Sequence, residues 1–416
     1  MDTGFQYDAT LLADYLELLR AKARIAVVFG GDKNQPGAVI HRVHNPRDWK
    51  SYEQVARDIQ AALKELGFGY VTLLPDDMRL PQRLADDGIN LAWLNTGGVQ
   101  GYNSISHAPA MLEMLGLPYI GHHPLNATLL DNKDTFKHCL QGLGIRTPPF
   151  VTWHPAQGPL RPESDQRFKA AFGAYQGPFV VKPVSGRASR HVHLADTPAG
   201  LPQVAGHVYD VTCNTVLIER YLPGPEYCVA VAGPISYVHG ALIHHNAPWA
   251  FSALERVFEP GELIYTSLDQ RPITLDRLRL LGDGDQAVKR ELLQLAQTIY
   301  REFGLQSIVR VDLRSDNAGA LHVLEVNPKP DLKRPSDAGT SLVMAGPTAD
   351  GISYTDMIYG LLADRLHHLL TYERALARQI IAMLLGDNQA PVRTPPTRAP
   401  LFGAAAPASS DIVVTA

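Results

Sequence analysis

The strongest constraint on the fold is a pair of apolar runs, 307–315 and 320–328, joined by a short turn and carrying polar residues two positions apart. Both runs predict strands of one hairpin. Side chains two apart on a strand share a face, so the hairpin would gather on one patch Arg310, Asp312, Glu325 and Asn327. Oxygen ligands of this kind hold Mg²⁺. A surface hairpin with a plain Arg–Asp pair is the alternative, but burial would require paired or metal-bound charges.

The first part of the chain has a different pattern. Short apolar runs at 24–30, 70–75 and 89–95 flank a helical pattern at 49–68, and this alternation predicts a parallel sheet covered by helices. From about residue 150 strands follow one another without a long helix between them, which favours an antiparallel sheet. The fold class is therefore α/β, with an α+β C-terminal half.

The C-terminal half is predicted in more detail. Successive strands are expected at 216–222, 226–233 and 237–245, and helices at 285–303 and 354–385. The remaining segment, 386–416, is rich in Pro and Ala and is predicted to be disordered.

Composition excludes several classes of protein. The formal charge is −4, from 38 basic and 42 acidic residues, so no basic field favours nucleic acid. Cys139, Cys213 and Cys228 have no paired spacing, which suits a reducing cytosol. No apolar run precedes Arg20, so no signal peptide is expected, and Pro and Gly interrupt the longest uncharged stretch. We expect a cytoplasmic protein that binds neither membrane nor nucleic acid.

Three further segments carry candidate binding groups. Lys182 ends an apolar run before the small-residue loop VSGRASR, where backbone N–H groups can close over phosphate. Lys133 lies in the first turn of a predicted helix over 129–145, an end that cations normally avoid unless an anion lies opposite. Glu219 and Glu226 flank a Pro-Gly turn and offer acceptors for sugar hydroxyls or an adenine amino group. Taken singly, Lys182 is more often a solvated residue at a strand end, and Glu219 and Glu226 are more often two exposed glutamates.

Two other patterns are weaker. Histidines recur in pairs at 122–123, 191/193, 244–245 and 367–368. Neighbouring positions on a strand face opposite ways, so local spacing makes no ligand set, and we interpret these histidines as structural or solvated. The Gly30-Gly31 turn could suggest a dinucleotide-binding oxidoreductase, but no G-x-G-x-x-G follows it.

In combination, the order and spacing of these motifs resemble the ATP-grasp superfamily, and within it the D-alanine–D-alanine ligase group. The resemblance covers about residues 24–370. It is densest in YIGHHPLNATLLDNKDTFKHCLQGLGIRTPPF, VVKP, VLIERYLPGPEYCVAV and VRVDL…LEVNP.

The resemblance implies a three-domain ATP-grasp enzyme that uses ATP and Mg²⁺ (or Mn²⁺) to join a carboxylate to an amine through an acyl phosphate. It implies an N-terminal Rossmann-like domain at 20–122, a central lid domain at 123–210 and a C-terminal catalytic domain at 211–385. The partners are small molecules, and a homodimer is favoured.

The resemblance also assigns residues. Lys133 and Lys182 would hold ATP phosphates, and Ser189 would join them from the loop. Glu219, Tyr221 and Leu222 would contact the adenine, and Glu226 the ribose. Asp312, Glu325 and Asn327 would be the metal ligands, and Arg310 would stabilise the oxyanion.

The departures from the family concern the substrate. Where D-alanine ligases have a glycine in the turn after the metal asparagine, this chain has Asp331, which prevents close backbone approach. We therefore expect that the substrate is an amino acid or a derivative other than D-alanine and that it carries an extra anionic group. The candidate substrate-binding residues are Lys329, Asp331, Lys333, Arg334 and Ser336. A genuine D-alanine–D-alanine ligase, or a non-catalytic nucleotide-binding scaffold, is the alternative.

Overall fold

A computed structural model describes residues 9–44, 49–265, 273–337 and 339–385. The segment predicted to be disordered, 386–416, lies outside the described residues. Among the residues described, no helix combines the length and the apolar character needed to cross a membrane.

The N-terminal part of the chain is built on a parallel sheet. Strand order is β2-β1-β3-β4, and the four central residues of the inner strand β1 are buried, as the apolar run at 24–30 predicts. The predicted parallel sheet is therefore confirmed. The elements in chain order are α1 (Ala9–Lys22), β1 (Arg24–Phe29), α2 (Glu53–Glu65), β2 (Tyr70–Pro75), α3 (Leu80–Asp86), β3 (Leu91–Asn95), α4 (His107–Met114) and β4 (Tyr119–Ile120).

A second, antiparallel sheet follows, with strand order β5-β8-β6-β7. Helices α7 and α8 cover it and bury Phe168, Phe172 and Leu201 against the strands. Because β8 belongs to this sheet, the sheet extends past residue 210, and we propose that the central domain ends after Arg220. The elements are α5 (Pro124–Asp131), α6 (Lys133–Gly142), β5 (Phe150–Trp153), α7 (Gln166–Phe172), β6 (Phe179–Pro183), β7 (His193–Ala195), α8 (Leu201–Thr212) and β8 (Val216–Arg220).

The C-terminal part contains the largest sheet, which is antiparallel with strand order β13-β12-β9-β14-β15. Of its three inner strands, β9 and β14 are buried along their whole length, and α9 packs its apolar face against β9 and β12. The elements are β9 (Glu226–Ala232), β10 (Ile235–Val238), β11 (Ala241–His244), β12 (Trp249–Arg256), β13 (Leu278–Leu280), α9 (Gln286–Glu302), β14 (Val309–Ser315), β15 (Leu321–Asn327), α10 (Ala345–Ala349), α11 (Tyr354–Tyr372) and α12 (Arg374–Leu385).

Two predicted elements are divided in the structure. The single strand expected over 237–245 is the hairpin of β10 and β11, which turns at His239 and Gly240, both with positive φ. The helix expected over 354–385 is interrupted at Glu373, whose φ of −115° and ψ of 45° are not helical. In addition, α1 was not predicted, although it buries Leu12, Leu16 and Leu19.

Candidate active site

The hairpin of β14 and β15 has the register that the sequence suggests. Arg310 is opposite Asn327, and Asp312 is opposite Glu325, with a bulge immediately after Asp312. Strand β14 lies between β9 and β15, and all of its residues are buried. The interpretation as a surface hairpin with a plain Arg–Asp pair is therefore wrong, because Arg310 and Asp312 are buried.

The buried Asp312 is surrounded by guanidinium groups. Arg310 donates to both of its carboxylate oxygens, at 2.6 and 2.8 Å. Arg256, the last residue of β12, donates to Oδ2 at 2.8 Å. Pairing of this kind offsets the cost of burying the charges, and the bidentate contact fixes the plane of the Arg310 guanidinium.

The second carboxylate of the hairpin pairs with a lysine from a different part of the chain. The Nζ atom of Lys133 lies 3.2 Å from Oε2 of Glu325. Burial works to raise the pKa of Glu325, but the ammonium groups of Lys133 and Lys182 lower it to about 2. Glu325 is therefore an anion at neutral pH. The anion expected opposite Lys133, at the start of α6, is thus supplied by the protein itself.

Glu219 is the centre of a buried cluster of charges. One of its oxygens pairs with Lys182, and the other lies 3.0 Å from Nζ of Lys137. Lys137 is fully buried and also donates to Oγ1 of Thr147 at 2.6 Å. Burial lowers the pKa of Lys137 to about 8. The pKa of Glu219 falls despite its burial, because the two lysines stabilise its anion.

Lys137 was missed from the sequence, although a signal was present. It follows Lys133 by four residues on α6, so the two ammonium groups share one face of the helix. Two like charges on a buried face require carboxylate partners, and Glu325 and Glu219 supply them.

At the other end of the site, Glu226 joins two arginines that the sequence did not single out. It pairs with Arg256 and, at 3.3 Å, with NH1 of Arg314. Arg314 also donates to the Tyr221 hydroxyl at 3.0 Å and lies over that ring at 4.7 Å from its centre. Tyr221 is thereby held against the sheet, beside the buried Leu222.

All of the residues predicted to bind the nucleotide, to bind the metal or to stabilise the oxyanion line two adjoining cavities. The first is lined by, among others, Lys133, Lys182, Ser189, Glu219, Tyr221, Leu222, Glu226, Asp312 and Glu325. The second shares four of these residues and adds Arg310 and Asn327. Residues from both antiparallel sheets line the first cavity, so the cleft lies between the central and C-terminal parts of the chain.

The small-residue loop after Lys182 closes one side of this cleft. Ala188 and Ser189 both have a φ of 54°, in the left-handed region that non-glycine residues rarely occupy. The Ser189 hydroxyl donates to the carbonyl of Tyr265 at 2.9 Å, and Ser185 donates to Asp131. The loop is therefore anchored by hydrogen bonds to Tyr265 and to Asp131.

The predicted substrate-binding residues do not form one group. Lys329 lies 3.4 Å from the centre of the Tyr52 ring and 3.4 Å from Oδ1 of Asn95. Burial raises the pKa of Asp331, against the opposing charge of Lys329, Lys50, Arg310 and Lys333. Lys329 lines a separate cavity with Asn95, and none of Lys329, Asp331 and Lys333 is among the described residues that line the two cavities above.

Arg334 and Ser336 are placed differently. Arg334 donates to both oxygens of Glu65 on α2, each at 2.9 Å, and lies 4.9 Å over the Tyr354 ring. Ser336 is exposed. Neither is among the described residues that line the two cavities. Arg334 is therefore neutralised by Glu65 of α2, which lies outside the basic run.

Comparisons with known proteins agree with this geometry. Residues 139–363 match the family described as D-ala D-ala ligase C-terminus. A Sinorhizobium fredii protein, the uncharacterized protein y4sG, is 30% identical over 336 residues, which cover 76% of this chain and 88% of that protein. A D-alanine–D-alanine ligase of Synechococcus is 30% identical over 311 residues, 73% of this chain and 86% of that enzyme.

The fold also matches a solved structure. The crystal structure of D-alanine–D-alanine ligase from Bacillus anthracis complexed with ATP matches 83% of this chain and 98% of that one, with a TM-score of 0.60. Sequence identity in this match is 20%, so it bears on the fold alone.

Proposed function

The chain belongs to the D-alanine–D-alanine ligase family of ATP-grasp enzymes, and from this premise we propose how it joins a carboxylate to an amine. The carboxylate substrate attacks the γ-phosphorus of ATP, which gives an acyl phosphate and ADP. The amine then attacks the acyl carbon, and inorganic phosphate leaves as the amide forms. The observation that carries this proposal is the convergence of two lysines, one arginine, two carboxylates and one amide on a single cleft.

Asp312, Glu325 and Asn327 fit a divalent metal. They offer two carboxylates and an amide oxygen, which are the ligands that Mg²⁺ prefers, and Glu325 is already ionised. Asp312 accepts three hydrogen bonds from Arg310 and Arg256. Because its two oxygens together have about four acceptor positions, one position remains for a metal ion. We propose that these residues hold Mg²⁺ (or Mn²⁺), which would neutralise charge on the transferred phosphoryl group.

The lysines and the acidic residues bind the nucleotide. Lys133 and Lys182 point into the cleft and neutralise the phosphates, with Ser189 of the small-residue loop beside them. Glu219 positions Lys182 by their ion pair and accepts from the adenine amino group. Tyr221 and Leu222 line the adenine pocket, and Glu226 accepts from the ribose.

Arg310 stabilises the oxyanion that forms when the amine attacks the acyl phosphate. Its bidentate contact with Asp312 fixes the guanidinium before substrate arrives, so little reorganisation is needed in the transition state. In this scheme Arg310 is the catalytic residue.

The substrate pair is proposed to differ from D-alanine with D-alanine. Asp331 brings a side chain to the turn where the family has glycine, and Lys329 and Lys333 contribute positive charge around it. We therefore propose that one substrate is an amino acid or related metabolite with an extra anionic group, bound by these two lysines. Arg334 is removed from this proposal because Glu65 occupies both of its terminal nitrogens.

An ADP-release assay over a panel of carboxylates and amines tests the proposal. The panel contains D-alanine, neutral L-amino acids, acidic amino acids and γ-glutamyl compounds, each offered alone and in pairs. We expect ADP release only with an acid and an amine together, and fastest with an anionic member. ATP binding without ADP release for any pair would instead indicate a non-catalytic scaffold.

A further inference from the structure

A cluster of metal-binding side chains lies outside the catalytic cleft. The cluster consists of His123, His368 and Glu373. His123 immediately precedes α5, His368 lies on α11, and Glu373 lies at the break between α11 and α12. One ligand atom from each residue lies within 4.8 Å of the others. None of the three lines either of the cavities described above.

The distances within this cluster match a four-coordinate metal site. Nε2 of His123 lies 3.6 Å, and Nε2 of His368 lies 3.3 Å, from Oε1 of Glu373. Zn²⁺ binds His nitrogen and carboxylate oxygen at about 2.0–2.2 Å, and a tetrahedron of that size has edges of about 3.3–3.6 Å. Two edges of the cluster are therefore already at the length that the metal requires.

A carboxylate contacts the ring nitrogen of His123 that faces away from Glu373. Nδ1 of His123 lies 2.8 Å from Oε1 of Glu113, which also accepts from the Tyr119 hydroxyl at 2.8 Å. In the neutral ring, a proton on Nδ1 leaves a lone pair on Nε2, and that lone pair faces the carboxylate of Glu373. A divalent metal placed between these two atoms would accept both lone pairs. Metal-binding histidines commonly have such a carboxylate behind them, which fixes the tautomer.

The surroundings allow a cation to reach the site. The three side chains are each about one quarter to one third exposed. Arg365 lies 2.9 Å from Oε1 of Glu373 and adds a positive charge, which the carboxylate of Glu113 offsets. A water molecule can supply the fourth ligand.

We propose that His123, His368 and Glu373 bind a divalent transition metal, with Zn²⁺ the best match, at a structural site distinct from the catalytic Mg²⁺ site. Two imidazole ligands select a transition metal over Mg²⁺, which prefers oxygen alone. The bound ion would tie the break between α11 and α12 to the start of α5, the helix that immediately precedes α6 and its Lys133.

Isothermal titration of the full chain with ZnSO₄, after chelator treatment and in excess Mg²⁺, tests this proposal. We expect one equivalent to bind to the wild type and at least 100-fold weaker binding by the double variant H123Q/H368Q. E325Q alters the proposed catalytic metal site, and H207Q alters an exposed histidine on α8, so both should bind as the wild type does. Absence of binding in the wild type, equal binding by the double variant, or loss of binding in E325Q would overturn the proposal.

A second variant keeps the test decisive if the double variant does not fold. E113Q keeps an acceptor for Tyr119 but weakens the support of His123, and loss of such a partner costs about 10–100-fold in metal affinity. Circular dichroism would establish that each variant is folded. If H123Q/H368Q does not fold, E113Q decides: weakened Zn²⁺ binding supports the site, and unchanged binding contradicts it.

Discussion

The ammonium nitrogen of Lys133 lies 3.2 Å from a carboxylate oxygen of Glu325, so a lysine proposed to hold phosphate pairs with a carboxylate proposed to hold metal. Each group neutralises the other inside the cleft, where an unpaired charge would be costly. Nucleotide and metal bring a matching pair of opposite charges. In the proposed complex, Lys133 would turn to phosphate and Glu325 to the metal, and neither charge would be left without a partner.

Substitution of Glu325 tests the metal assignment. We predict that E325Q lowers the rate of ADP release by at least about 10³-fold, equivalent to about 4 kcal/mol at 1.36 kcal/mol per tenfold. Glutamine still accepts from Lys133, so circular dichroism should show a folded protein. D312N should behave in the same way. E302Q, on the exposed face of α9, is the matched control and should retain full activity; near wild-type release from E325Q would remove Glu325 from the metal site.

The hairpin at the site was predictable, because a period of two fixes which side chains share a face whatever surrounds the strand. Arg310, Asp312, Glu325 and Asn327 therefore meet as expected. The partners of these groups were not predictable. Arg256 reaches Asp312 from a strand that is 56 residues distant, and Glu65 reaches Arg334 from α2. Pairings of this kind depend on how the sheets and helices pack, which local pattern does not record.

Glu219 should contribute strongly to stability. We predict that E219Q lowers the free energy of unfolding by about 3–5 kcal/mol, because it leaves Lys137 and Lys182 buried without their anion. The control is E65Q, which breaks the exposed pair with Arg334 and should cost at most about 1 kcal/mol. Urea unfolding followed by circular dichroism measures both. Equal losses in the two variants would mean that the Glu219 cluster is not the stabilising feature proposed.

Among the basic residues after Asn327, we expect Lys329 and Lys333, but not Arg334, to bind the substrate. We predict that K329A and K333A each raise the KM of the anionic substrate about tenfold or more while the KM of ATP stays within about twofold, since one charged hydrogen bond contributes about 1.5–3 kcal/mol. R334A should leave both constants near wild type, because Arg334 is paired with Glu65. Steady-state kinetics with the preferred pair measures this. A preference for neutral substrates, or an effect of R334A as large as that of K329A, would refute the charge argument.

A buried aspartate should give the stability a measurable pH dependence. Burial raises the pKa of Asp364 on α11 to about 7, even though the backbone N–H of Ile235 donates to it at 3.1 Å. Between about pH 4 and pH 7 the folded chain keeps this proton and the unfolded chain loses it, so stability falls as pH rises, by up to about 1.4 kcal/mol per pH unit.

The variant D364N should remove this part of the pH dependence, and D350N, an exposed aspartate, should not. Urea unfolding at intervals from pH 4 to pH 8 provides the comparison. Parallel pH profiles for the wild type and D364N would show that Asp364 ionises at the same pH in the folded and unfolded chains.

The most direct test of acyl-phosphate formation follows the oxygen atoms of the carboxylate substrate. The preferred acid from the ADP-release panel is labelled with ¹⁸O in its carboxylate and incubated with ATP, the amine and the enzyme. The released phosphate is then analysed by mass spectrometry. In the proposed reaction one carboxylate oxygen becomes the bridge to phosphorus and leaves with it, so each phosphate released should carry one ¹⁸O. Release of unlabelled phosphate while the amide forms would contradict the account, because the oxygen lost from the carboxylate would then have left by another route.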